Sequence, residues 1–504
     1  MHTSSAAAPA APAGGWEASF RAHVADLPET LAPQRSPSHA VAAGRMRKLV
    51  QSGLVRHTDV RDDPERFFGA HAVLSELATR IGPGFGIRFT VQFNLFAGTI
   101  VATGEAGHLE LLERMQQRGQ LGCFALTERL AGVNSGLVVE TVAEWDAQRA
   151  CFVLHTPHDG AAKNWISQGT VADYAVVVAD LRVGGKRRGP HAFVMQIRGE
   201  SGALARGVSL GDMGDKTIGN DLDNAWIRFD RVELPRGALL SRYAAVSAEG
   251  NYATRPGAGG VANIDMIGQR LYTGRIVIAE SAVIFAQSLF GAAQAYSDAK
   301  RVWAPGGAQP TLSDVPQLAA LYREAGARLL RLRELLRALR GVFGPLLKEG
   351  TVPPASLVNV VAAAKVRCIE TSIELCHRLK QEVGSFALMA GSGFERIDYL
   401  QCCKFAEGDS RILMQKMARD RVAAFRKQQP QQQPQAPGAA GEEAWLCGRL
   451  LSALASQGQA GWDGAWEDVY RLADLLVQRY MDEFMEGRVA GPGGADGGGG
   501  GSIV

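Results

Sequence analysis

Tyr174-Ala175-Val176-Val177-Val178-Ala179 decides how the chain is read. The run is short, rich in Val and followed within a few residues by Gly184-Gly185, which marks a strand and not a helical turn. Three further runs share its texture: Cys151-Phe152-Val153-Leu154-His155, His191-Ala192-Phe193-Val194-Met195-Gln196-Ile197 and Ala225-Trp226-Ile227-Arg228-Phe229. All are rich in β-branched and aromatic residues and separated by Gly, Asp and Pro. Residues 120–237 therefore read as a compact β domain, a small barrel or sandwich. The basic triplet Lys186-Arg187-Arg188 lies between two of these strands and reads as part of a solvated hairpin loop.

On both sides the period changes. Residues 16–119 are mainly helical, with apolar residues three and four apart over Ala70 to Ile81 and His108 to Arg118. Helices return near Asn263. Arg275 to Phe290 is apolar almost all round, as a helix inside a bundle is. Leu318, Leu321, Tyr322, Ala325, Leu329, Leu332, Leu336 and Leu339 make one stripe. Pro353-Pro354 and Ser356 open another helix, through Leu379. The expected fold is α+β: an N-terminal helical domain (16–119), a central β domain (120–237) and a C-terminal helical bundle (238–427). A Gln/Pro linker (428–441), short helices (442–487) and disordered ends (1–15 and 488–504) complete the layout.

The chain has 504 residues, 46% of them hydrophobic and 21% charged, which is ordinary globular composition. Its 54 basic and 51 acidic residues nearly balance, and no basic stripe marks nucleic acid as a partner. Seven scattered cysteines, with no C-x-x-C pair and no zinc spacing, imply a reducing, intracellular setting and no metal. No uninterrupted apolar run reaches the length of a membrane span. Neither a secretory signal nor a C-terminal Ser-Lys-Leu peroxisomal address is visible.

One hexapeptide carries chemistry: Phe405-Ala406-Glu407-Gly408-Asp409-Ser410. Gly408 permits a sharp turn, and Asp409 or Ser410 can cap a helix beginning near Ile412. Burial would raise the pKa of Glu407, and the helix N-terminus would favour its ionised form. A carboxylate so balanced suits a general base, although a solvated capping turn fits the same six residues. Two segments of the β domain, Gly122 to Glu128 and Lys163 to Gly169, combine an indole, hydroxyls and backbone donors that could line a planar ring. Each alone also fits a strand end with a polar turn.

With these motifs in place, the chain resembles the acyl-CoA dehydrogenase/oxidase superfamily, and the oxidase branch most. Gly122 to Glu128 is similar to that branch's first flavin-contacting segment. Trp165 to Gly169 is similar to the second, in its dehydrogenase form. Gly211 to Pro235 resembles the oxidase Gly-Asp-Met-Gly turn and the strand after it. Ala390-Gly391-Ser392-Gly393-Phe394 and then Glu407-Gly408-Asp409 resemble the Gly-rich turn and the base-bearing Glu-Gly. Together the motifs cover about residues 70–425 in family order.

The resemblance implies FAD as cofactor and acyl-CoA as substrate. Glu407 matches the base that removes the α-proton, while hydride leaves the β-carbon for the flavin. Thr127, Trp165, Ser167 and Gly169 match positions around the flavin ring. Arg301 matches an arginine that reaches the FAD of a neighbouring subunit, which implies a homodimer or larger. Two stretches depart from the family pattern: Arg129-Leu130-Ala131-Gly132-Val133 replaces Leu-Gly-His-Gly-Ser, and Arg301-Val302-Trp303-Ala304 keeps only the Arg of Arg-Gln-Phe-Gly. The region after Glu407 is short for an oxidase. Three readings follow: an oxidase passing electrons to O₂, a dehydrogenase serving an electron-transfer flavoprotein, or a flavin-free scaffold. An oxidase of this family is expected in peroxisomes, or in the cytoplasm if the chain is bacterial.

Overall fold

The computed structural model describes residues 15–25, 38–78, 82–132, 138–255, 263–428 and 441–489. The expected disordered ends and the Gln/Pro linker lie outside these residues except at their edges, where Gly15 already opens a helix. The N-terminal helices are α1 (Gly15–Ala25), α2 (His39–Ser52), α3 (Asp59–Asp62), α4 (Pro64–Glu76) and α5 (Pro83–Thr90). A six-residue π-helix (Val91–Phe96) follows, then α6 (Ala97–Thr103) and α7 (Ala106–Arg118). The helix expected over Ala70 to Ile81 is thus α4, which starts earlier because Asp63 caps it and Pro64 occupies its first turn.

Eleven strands come next: β1 (Gly122–Ala125), β2 (Val142–Asp146), β3 (Cys151–His155), β4 (Lys163–Ser167), β5 (Tyr174–Val183), β6 (Lys186–Gln196), β7 (Val208–Asp212), β8 (Asn224–Phe229), β9 (Val232–Pro235), β10 (Ala244–Val246) and β11 (Tyr252–Thr254). A six-stranded sheet runs β1-β5-β2-β3-β9 with β6 also paired to β5. β1 and β2 are parallel to β5; the other pairs are antiparallel. A second sheet, β4-β8-β7, shares one apolar core with the first. The basic triplet corrects the sequence reading. Gly184 and Gly185 both take positive φ, 58° and 71°, and close a two-residue hairpin turn by themselves. Lys186-Arg187-Arg188 therefore begins β6, where Arg187 Nε donates to Asp180 at 2.9 Å and Arg188 lies over the Tyr252 ring.

The C-terminal helices are α8 (Asn263–Ala299), α9 (Pro316–Glu349), α10 (Ala355–Glu382), α11 (Tyr399–Phe405), α12 (Ser410–Gln428), α13 (Glu442–Gln457), α14 (Gln459–Gly464) and α15 (Trp466–Met485). β5 shows what joins the layers. Because side chains alternate along a strand, Val176 and Val178 enter the helical core. Ala175, Val177, Ala179 and Leu181 enter the core between the sheets. The helical core is continuous from Phe20 in α1 to Cys403 in α11, so helices before and after the sheet share it. Pro83–Thr103 and Leu271–Ala299 are long and apolar enough to cross a bilayer by length and composition, but 83% and 78% of those windows are buried. Within this fold they are core helices.

Candidate active site

The Glu407 turn links α11 to α12. Glu407 has φ 58° and Gly408 has φ 92°, two successive left-handed residues, of which only the second is a glycine. A side-chain-bearing residue held there costs on the order of 1–3 kcal/mol, so neighbouring contacts must fix it. Two cations do so. Arg275 Nε on α8 donates to the Glu407 carbonyl at 3.1 Å. Lys365 Nζ on α10 donates to the carbonyls of Lys404 and Gly408, each at 2.6 Å, and lies 3.4 Å from the Ser410 hydroxyl. Asp409 caps α12: its Oδ1 accepts from the Arg411 N–H at 2.6 Å and its carbonyl from the Leu413 N–H at 3.0 Å. The helix accordingly starts two residues before the expected Ile412.

The carboxyl group of Glu407 rests on α8 at Gly274. A Cβ added to Gly274 would overlap it, so this position admits only glycine while the carboxyl group stays in place. Glu407 Oε2 is buried and has no hydrogen-bond partner among the described residues. Burial pushes the Glu407 pKa up to about 8, against the pull of Arg275 and Lys365. The opposing pull thus involves two cations that the sequence reading did not name. An unpartnered buried carboxyl oxygen is unusual in a folded protein and marks a group free to exchange a proton with a bound molecule.

The second half of the site lies on the β domain. Asn164 N–H donates to the Thr127 carbonyl at 2.9 Å, and Lys163 pairs with Glu128, so the segment just after β1 that carries Thr127 runs beside β4, which carries Trp165. Both side chains, Thr127 just after β1 and Trp165 within β4, are exposed, Trp165 by 55%. Trp165 is also left-handed, at φ 56°, where the β4–β8 register slips between Lys163 and Ile166. Its N–H contacts Met213 Sδ, and Ser167 Oγ accepts from Asn224 Nδ2 at 3.1 Å. Gly169 lies underneath: a Cβ there would come 2.7 Å from that of Ala225.

Gln168 fixes this segment from below. Its Nε2 donates to the Gly122 carbonyl at 2.7 Å and to Gln92 Oε1 at 3.0 Å, and its Oε1 accepts from Arg88 at 3.2 Å. Gln92 sits in the π-helix and also accepts from the Gly122 N–H. The loop between β7 and β8 connects the two halves. Met213 touches Trp165, and Lys216 lies within electrostatic reach of Cys402 on the helix leading to Glu407.

The structure thus brings Thr127, Trp165, Ser167 and Gly169 together, and loop β7–β8 connects their segment to the Glu407 helix. Arg301 is not among them. It is exposed in the loop between α8 and α9, where it pairs with Thr311 and donates to the Gln309 carbonyl at 3.0 Å. A cleft of about 1190 Å³ elsewhere, bordered by His108, Met195, Arg231 and Pro235, contains none of these residues. All seven cysteines are free, and no metal-binding cluster occurs among the described residues.

Sequence reasoning passed over Lys365, Arg275, Gly274 and Gln168. Lys365 had a visible signal, since it is the lone cation in Val360-Val361-Ala362-Ala363-Ala364-Lys365-Val366. Arg275 opens a stretch within α8, through Phe290, that is otherwise almost wholly apolar. Gly274 had none, because its role depends on what packs against it.

No protein-family model matches the chain. Acyl-coenzyme A oxidase 2 of Yarrowia lipolytica is 30% identical over 398 residues, 74% of this chain and 55% of that protein. The peroxisomal acyl-coenzyme A oxidase 2 of Arabidopsis thaliana is 34% identical over 218 residues, 40% of this chain and 31% of that protein. The chain therefore spans about half or less of the curated relatives it matches. Acyl-CoA oxidase-1 of Caenorhabditis elegans, solved with FAD and ATP, has the same fold with a TM-score of 0.74 at 19% identity, over 94% of this chain and 76% of that one. Relatives of one kind over most of the sequence, and one shared arrangement of helices around a double sheet, make this chain a member of the acyl-CoA dehydrogenase/oxidase superfamily.

Proposed function

We propose that the chain is an acyl-CoA oxidase, converting an acyl-CoA to the trans-2-enoyl-CoA with FAD as cofactor and O₂ as electron acceptor. The observation that carries this reading is Glu407: a half-buried residue whose Oε2 is buried without a hydrogen-bond partner among the described residues and whose pKa is raised to about 8. The oxidase names of the relatives support O₂ over an electron-transfer flavoprotein as acceptor. The Trp165-Ile166-Ser167 run favours the dehydrogenase alternative. The peroxisomal name of the Arabidopsis relative supports a peroxisomal setting.

The residues fit the cofactor. Trp165 is left-handed and exposed at the β4–β8 register slip, beside the exposed Thr127 and the half-buried Ser167. These three would hold the flavin ring, with Gly169 and Gln168 supporting the segment beneath. When bound, FAD supplies the acceptor for the hydride and the route by which electrons reach O₂. Glu407 takes the α-proton on its free oxygen. Its own N–H, presented by the left-handed turn, would hold the thioester carbonyl and stabilise the developing enolate. Fixing base and hydride acceptor on one Cα–Cβ bond would supply much of the acceleration.

Glu407→Gln tests the reading. The variant keeps the shape of the turn but cannot accept a proton, so flavin reduction by acyl-CoA, followed by stopped-flow absorbance, should slow by about 10²–10⁴-fold with FAD still bound. Flavin bleaching at the wild-type rate would place the base elsewhere. Peroxide formed without an added acceptor identifies the oxidase; its absence alongside normal flavin reduction identifies the dehydrogenase.

A further inference from the structure

We propose that Lys365 is a positioning residue for the base: its buried side chain, bonded to the carbonyls of Lys404 and Gly408 on either side of Glu407, holds closed the left-handed turn that aims the carboxyl group. The inference rests on reading Glu407 as the base.

The geometry distinguishes Lys365 from an ordinary buried cation. Buried lysines are usually paired with a carboxylate. Among the described residues no carboxylate lies within ion-pair distance of Lys365, and its hydrogen bonds go to two main-chain carbonyls and a hydroxyl. Those acceptors are the ones the turn would leave unsatisfied. Lys404 lies in the last turn of α11, and Gly408 lies in the link between α11 and α12. One nitrogen therefore spans the segment containing both left-handed residues. The side chain of Lys404 turns the other way and pairs with Glu370 on α10 at 2.6 Å, so α10 grips Lys404 twice.

The charged and titratable groups facing Lys365 come from every neighbouring element: Arg275 from α8, Cys403 from α11, and Glu407 and Asp409 from the turn. Burial lowers the Lys365 pKa to about 7 and Arg275 adds to that push, while Asp409, Cys403 and Glu407 favour the ammonium. No carboxylate among the described residues pairs with Lys365 at contact, so while it is protonated its charge acts on Glu407 and favours the carboxylate. As Glu407 loses its proton, each charge of the pair holds the other. Lys365 thus acts on the base twice, through the backbone it ties and through the charge it carries.

Lys365→Met removes both actions, and Lys365→Gln keeps donors but removes the charge. Each is compared with the wild type as FAD-loaded protein. Hydrogen–deuterium exchange of peptides covering 405–411 needs no substrate; Lys365→Met should exchange there at least about tenfold faster, with the rest of α8, α10 and α12 unchanged. Flavin reduction should slow by about 10²-fold with FAD retained. Its pH midpoint should rise by about one unit in both variants, a shift that lost stability alone does not produce. Wild-type exchange in 405–411 together with an unmoved midpoint overturns the proposal, and so does a loss of protection spread evenly over the bundle. If Lys365→Met does not fold, Lys365→Gln decides by its midpoint. Should the wild type itself fail to reduce its flavin with acyl-CoA, the oxidase reading falls, while the exchange comparison still decides the role of Lys365 in the turn.

Discussion

At Gly274 a single missing methyl group makes room for the base. Gly274→Ala would force the Glu407 carboxyl group off α8 while leaving the helix itself slightly favoured by the better helix former. We expect flavin reduction to fall at least about tenfold with the thermal midpoint nearly unchanged, as read by stopped-flow absorbance and calorimetry on the same variant. A drop in melting temperature with normal kinetics would mean that the carboxyl group relaxes freely. The pKa of Glu407 makes a second prediction. The folded value, about 8, lies above the ordinary 4.5, so the neutral form is the one the fold favours. That contribution to stability is complete below the ordinary value and is lost as pH rises through about 8. Base strength runs the other way: kcat/KM for acyl-CoA should climb as pH rises, with its midpoint near 8. A rate already level well below that pH would show the carboxyl group to be ionised in the free enzyme.

At the scale of elements, β1 and β4 must stay together for Thr127 and Trp165 to adjoin. The buried pair Lys163–Glu128 does this. Lys163 Nζ is 2.8 Å from Glu128 Oε1 and also donates to the carbonyls of Leu126 and Val178. Glu128 in turn accepts from the N–H groups of Glu140 and Thr141. Lys163→Met leaves that carboxylate buried without its cation, and should cost about 3–5 kcal/mol in urea unfolding. FAD retention on gel filtration should weaken in parallel, since the same region carries the segments proposed to hold the flavin. Stability within about 1 kcal/mol of wild type would show that the backbone donors alone satisfy Glu128. Much at this scale was legible beforehand. Cys151–His155 is a strand over its full expected range, and the leucine stripe from Leu318 to Leu339 is buried against the bundle. The basic triplet was misread because a Gly-Gly pair closes a hairpin without help from its neighbours.

For the whole molecule, Arg301 is the residue to watch. Among the described residues its hydrogen bonds stay within its own exposed loop, to Gln309 and across a bridge to Thr311. If the protein is a homodimer with FAD near the interface, Arg301→Ala should lower FAD retention while the circular dichroism spectrum stays unchanged. A monomer by light scattering that still holds FAD tightly would rule this out. The continuous helical core, from Phe20 to Cys403, explains how helices far apart in sequence build one scaffold around the sheet. The amino-acid sequence by itself determined the helix–sheet–helix order, four of the strands and the Glu407-Gly408 turn. Each of these depends on local periodicity or on the backbone freedom of glycine. Tertiary structure alone decided what surrounds the base. Arg275 lies 132 positions from Glu407, and Lys365 lies 43 positions from Gly408. Which of the many buried side chains meets that turn depends on how α8, α10 and α11 pack, and no local pattern encodes the register of one helix against another.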